Sequence, residues 1–118
     1  MKKVGIINCF KQSKKCSGIG CFNSINNKID SFERYTEEGF QLVGFGHCND
    51  CCKTTAEDIS LRAESLKTAG ADTIHISSCI KIMCPNYNKF IEILSKDFDV
   101  VEYTHAVARR EGITMLNE

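Results

Sequence analysis

The chain has no tryptophan, a single proline and no net charge, its 15 basic side chains being matched by 15 acidic ones. Without a basic excess or a long basic face, it lacks the means to bind nucleic acid through its phosphates. The cluster Lys11, Lys14 and Lys15 reads as a solvated loop rather than an anion-steering patch. No apolar segment approaches the roughly 20 residues that a membrane helix needs. Met1, Lys2 and Lys3 precede an apolar run, but that run ends at Lys11 without a small-residue cleavage site and reads as a first strand. These absences predict a cytoplasmic protein with neither nucleic acid nor membrane as partner.

What remains is an ordinary globular composition, 42% hydrophobic and 25% charged, over 118 residues. That length fits a single domain, 1–118, and folding at this size buries roughly two-thirds of the surface that the unfolded chain exposes. Disulfides are not required to hold it. The eight cysteines therefore need another account, and in a reducing compartment such clusters more often serve metals or catalysis.

Four segments read as strands: Val4-Gly5-Ile6-Ile7, Leu42-Val43-Gly44-Phe45, Thr73-Ile74-His75-Ile76-Ser77 and Asp99-Val100-Val101-Glu102-Tyr103. Thr55, Glu57, Asp58 and Gly70 bracket a helix whose Ile59, Ala63, Leu66 and Ala69 recur on one face. Pro85 and Asn86 open a second helix that buries Phe90, Ile91, Ile93 and Leu94. A shorter helix over 22–32 would align Ile25, Ile29 and Phe32, and the tail 106–118 would add a helix or an extended arm. Alternating strands and helices predict an α/β domain, a flavodoxin-like, doubly wound, mainly parallel sheet of about four strands in the order 2-1-3-4.

In that topology the segments following the strands gather at the sheet's carboxyl edge. Cys9 follows the first strand, Cys48 the second and Cys79 the third, at strand ends about 5 Å apart. Cys48-Asn49-Asp50-Cys51-Cys52 adds a C-x-x-C turn, a spacing shared by zinc, iron-sulfur and dithiol redox sites. Cys16 and Cys21 flank a loop holding Gly18 and Gly20, and Cys84 precedes Pro85 at an expected helix start, where the dipole favours thiolate. His105, after the fourth strand, is the best histidine ligand candidate, with a surface loop histidine as the alternative; His47 neighbours Cys48, and His75 is placed as a packed or supporting group. A phosphatase-like loop is disfavoured, because Lys15 stands where C-x5-R needs arginine and the residues between Cys9 and Lys15 include no glycine.

Taken in order, these residues resemble the CGGC domain proteins, a small bacterial and archaeal group described as metal-binding. The resemblance runs over roughly residues 3 to 105 and rests on Cys9, Cys16, Cys21, Cys48, Cys51, the Ile74-His75-Ile76-Ser77-Ser78-Cys79 segment, Cys84-Pro85 and Thr104-His105. Asn49-Asp50 replaces the two glycines of the name-giving motif, and Asn and Asp are the side chains that best tolerate the left-handed backbone glycine allows. The resemblance implies a metal-binding role for these cysteines and histidines and names no reaction.

The expectation is a thiolate-ligated centre, an iron-sulfur cluster favoured over Zn2+, with Cys9, Cys48, Cys51 and Cys79 as first ligands. Cys16, Cys21, Cys52, Cys84 and His105 are further candidates. Two alternatives stand beside it: a thiol/disulfide redox enzyme cycling Cys48 and Cys51 or using Cys9 as nucleophile, and a metal storage or delivery module acting through a redox or metal-transfer protein partner.

Overall fold

Val4, Ile6 and Ile7 on the first strand and Ile74 and Ile76 on the third are almost completely withdrawn from solvent. Such unbroken apolar runs suit strands covered on both faces. In the computed structural model, which describes residues 1–9, 11, 14, 16–48 and 56–105 (Ala56 and Met83 by backbone alone), they lie at the centre of one sheet. The elements are β1 (Lys2–Asn8), α1 (Ile19–Asn27), a 3-10 helix (Asp30–Tyr35), β2 (Phe40–His47), α2 (Ala56–Thr68), β3 (Thr73–Ile76), α3 (Ser78–Met83), α4 (Tyr87–Leu94) and β4 (Asp99–Val101). All strand pairings are parallel, and the order β2-β1-β3-β4 is the expected one.

One face of the sheet packs Ile7, Ile74 and Ile76 against Ile59, Ala63 and Leu66 of α2 and Phe90 and Leu94 of α4. Each large apolar side chain fully buried there contributes roughly 1.5–3 kcal/mol. Ala69, expected on the same helical face, is instead exposed in the last turn before Gly70. The helix lies close to the strands, and a Cβ on Gly44 would run into a Leu66 methyl. The opposite face buries Val4 and Ile6 under Ile25, Phe32 and Tyr35.

Two local departures from the sequence reading have physical causes. The helix expected over 22–32 begins at Ile19 and stops at Asn27, because Lys28 and Asp30 adopt positive φ of 51° and 55°. The Ser24 hydroxyl donates to the Asp30 carboxylate at 2.9 Å, securing the break. The chain then restarts as the 3-10 helix that delivers Phe32 and Tyr35 to the sheet. Second, Pro85 does not open a helix directly. Cys84, restricted by the following proline, is extended (φ −91°, ψ 124°) and ends α3, while Asn86 is the N-cap of α4. Thr55, Cys51, Cys52 and the tail 106–118 lie outside the described residues.

Candidate metal centre

The parallel ladder does not stop where the strands end. Asn8 is in register with His47, and beyond that pair the Cys48 N–H donates to the Asn8 carbonyl at 2.9 Å. On the other side of β1 the Ser77 N–H donates to the Ile7 carbonyl, also at 2.9 Å. Backbone hydrogen bonds thereby hold the first residues after three neighbouring strands side by side. Cys9, Cys48 and Cys79 all emerge here, each about 95% buried and all within one apolar cluster.

Asn8 and Ser77 organise two of these cysteines. The Asn8 amide oxygen accepts the Cys9 N–H at 2.6 Å and the Cys79 thiol at 3.2 Å. Having given its proton to Asn8, the Cys79 sulfur is left to accept from the Ser77 hydroxyl, 2.9 Å away. That hydroxyl oxygen also accepts the Ile80 N–H and so caps α3, the short helix that places Cys79. The hydrogen bond with the Cys9 side chain, then burial, push the Cys79 thiol above its ordinary range, and Ser77 opposes them. Cys9 and Cys79 are therefore a contacting pair contributed by the two central strands.

The remaining candidates are placed as follows. Cys21, on α1, is buried with its sulfur 3.1 Å from the Thr104 hydroxyl. Cys16 is partly exposed, and its sulfur accepts the Gly18 N–H at 3.3 Å across a turn that Gly18 completes at φ 81°. This left-handed backbone is one that glycine takes without a Cβ penalty. Cys84 is half-buried against the core at the carboxyl end of α3, so the dipole argument for its thiolate does not carry over from the sequence. His105 is buried rather than on the surface, and Ser78 holds its backbone by accepting the His105 N–H at 3.1 Å and donating to the His105 carbonyl at 2.7 Å. Asn49, Asp50, Cys51 and Cys52 are outside the described residues.

His75 does something different from all of these. It faces the opposite side of the sheet, fully buried and stacked on Phe32 with ring centroids 4.3 Å apart. Ser31 donates its hydroxyl proton to the Thr104 carbonyl at 2.9 Å and lies 3.0 Å from His75 Nδ1, so it accepts there and Nδ1 carries the proton. The Tyr103 carbonyl, at 3.3 Å, shares that proton. Nε2 is then the acceptor for the Tyr35 hydroxyl at 2.7 Å. Burial lowers the His75 pKa to about 3 and raises that of Tyr35 to about 12, so both are neutral at physiological pH. The sequence offered no local signal for this network, because its members lie far apart along the chain.

The donor chemistry present is that of buried cysteines at neighbouring strand ends, soft ligands that suit a thiolate-seeking metal, with the Ser77 hydroxyl placed to support a Cys79 thiolate and the Asn8 amide oxygen placed to accept from the thiol. Among the described residues no group of three or more His, Cys, Asp or Glu side chains is spaced to hold a metal ion, so Cys9, Cys48 and Cys79, all described, are not arranged as three ligands of one ion. Over residues 3–105 the sequence matches the model of the CGGC domain. The chain belongs to that family. Membership supports the coarse reading of a cysteine-rich metal-binding protein. An uncharacterized protein of Methanocaldococcus jannaschii is 36% identical over 121 residues, spanning 92% of this chain and 90% of its own length. No solved structure matches. Among the described residues no helix is long and apolar enough to cross a membrane.

Proposed function

We propose that the carboxyl edge of the sheet holds a thiolate-ligated metal centre, an iron-sulfur cluster in preference to zinc. Cys9, Cys48, Cys51 and Cys79 are its first ligands, and Cys16, Cys21, Cys52, Cys84 and His105 are the further candidates. The observation that supports this reading is the interacting pair Cys9 and Cys79 at the ends of the two central strands, with the Cys48 backbone held beside them by its N–H to the Asn8 carbonyl. An iron-sulfur cluster bound by four cysteines would supply one-electron transfer, at a potential tuned by hydrogen bonds to sulfur of the kind Ser77 makes. Thiolate ligation also requires deprotonation, so loading displaces the proton that Cys79 gives to Asn8.

A thiol enzyme built on Cys9 or Cys79 fits the structure less well. A reactive cysteine needs an exposed, low-pKa thiolate, and here both are buried while the Cys79 thiol is raised. A centre of buried thiolates suits a reducing compartment such as the cytoplasm, with a redox or metal-transfer protein as partner.

The test is purification without oxygen followed by visible absorption, iron and zinc analysis and assay of acid-labile sulfide. Broad visible absorption with stoichiometric iron and sulfide is the expected result. Stoichiometric zinc in a colourless protein overturns the cluster in favour of zinc. Failure to hold either metal, after anaerobic reconstitution as well, overturns the metal reading.

A further inference from the structure

Asn8 closes the first strand between two cysteines. Its amide oxygen accepts the Cys9 N–H at 2.6 Å and the Cys79 thiol at 3.2 Å, so a single atom ties the backbone of one cysteine to the sulfur of the other. The strand ladder brings them to the same place: Ile7 is in register with Ile76, and the Ser77 N–H donates to the Ile7 carbonyl at 2.9 Å just before the two cysteines emerge. Both stand as thiols, are almost wholly buried in one apolar cluster and are hydrogen-bonded to each other through their side chains. Among the described residues, no third His, Cys, Asp or Glu completes with them a group spaced to hold a metal ion.

We infer that Cys9 and Cys79 form a reversible disulfide when the chain meets a peroxide, and that this bond is a redox lock on the carboxyl edge of the sheet. Two cysteines suffice for it, whereas a metal needs more ligands than the pair supplies. Forming the bond orphans no hydrogen-bonding group around it. Asn8 gives up the Cys79 hydrogen but keeps the Cys9 N–H, and the Ser77 hydroxyl keeps the Ile80 N–H on its oxygen and the Cys79 sulfur as acceptor.

The step balances with hydrogen peroxide as the oxidant. One cysteine sulfur attacks a peroxide oxygen, its S–H bond and the O–O bond break, and a sulfenic acid and water form. The second sulfur then displaces the sulfenic hydroxyl, which leaves as water with the second thiol's proton, and the S–S bond forms. Two thiols and one peroxide become one disulfide and two waters, the sulfurs passing two electrons to oxygen. Burial slows the first attack, and the contact speeds the second, so the sulfenic acid is captured before it is oxidised further. Such a lock needs no turnover, which separates it from a thiol enzyme. Its link to cargo rests on the metal reading above: the disulfide withdraws two thiolates at once, so that oxidation and loading exclude each other.

The experiment exposes the full chain, purified without oxygen, to hydrogen peroxide, alkylates the remaining thiols and maps linked peptides by mass spectrometry without reduction. The same oxidation in urea is the comparison. A Cys9–Cys79 link should be the main product of the folded chain, reversed by dithiothreitol, and the unfolded chain should give a mixture. A folded chain that links other cysteines while Cys9 and Cys79 remain alkylated, or that gives the mixture of the unfolded chain, overturns the inference. The map uses the unmutated chain, so no variant has to fold. Metal analysis of the same samples keeps the two readings apart. Loss of bound metal in step with the link is the expected result; a link that forms with metal retained, or in a chain that never held metal, supports the disulfide and overturns the pair's place as metal ligands.

Discussion

Lowering the pH from 7 to 5 should destabilise the folded chain through His75, and the magnitude follows from its surroundings. The native ring is held neutral, with Nδ1 donating to Ser31, Nε2 accepting from Tyr35, and the pKa lowered to about 3 by burial. The unfolded chain presents an ordinary histidine that titrates near pH 6.5. Its folded-state pKa is the lower of the two, so the unfolded state binds the extra proton first. Stability is therefore unaffected above about pH 6.5 and is lost as pH falls from there towards about 3. One and a half units below the ordinary value, at about 1.4 kcal/mol per unit, the loss at pH 5 is about 2 kcal/mol. Other groups titrate over the same interval, so the measurement is a difference: urea unfolding of the wild type and of His75→Asn at pH 7 and pH 5. The stability gap between them should narrow by about 2 kcal/mol on acidification. A gap that stays constant would show that the native ring accepts a proton as readily as the unfolded one, refuting the buried neutral network.

Three further outcomes follow from the same contacts. Tyr35→Phe leaves His75 Nε2 without its 2.7 Å donor and should cost about 1–3 kcal/mol in urea unfolding at pH 7. Ser77→Ala removes the N-cap of α3, which should cost about 1 kcal/mol by the same assay. For the proposed centre, Cys9→Ala and Cys79→Ala should each lower bound metal per chain to less than half of the wild-type value, measured by elemental analysis after anaerobic purification. Wild-type metal content in both variants would remove the contacting pair from the ligand set.

How much of this was legible in the sequence depended on how far apart the interacting residues lie. The four strands and their order were readable, because apolar runs of the right length are local signals and parallel crossovers restrict their arrangement. That Cys9 and Cys48 stand at neighbouring strand ends, with Cys79 just beyond the next, followed from that order. The six-residue α3 was missed, although Ser77, with its hydroxyl toward the Ile80 N–H, is an N-cap signal and Cys84-Pro85 a stop signal on either side of it. The break after Asn27 was missed too, because Lys28 is not a residue expected at positive φ. The network joining Ser31, Tyr35, His75 and Thr104 could not be read locally, since its hydrogen bonds span 40 to 73 positions.

The two backbone bonds that carry the ladder past the strand ends, Cys48 to Asn8 and Ser77 to Ile7, depend on no side chain. They anchor the base of the cysteine-bearing edge through peptide groups, while Cys9, Cys48 and Cys79 themselves belong to the apolar core that α2 and α4 cover. Replacing one of these cysteine side chains therefore leaves both bonds in place, and the strand register is expected to outlast the loss of a thiol.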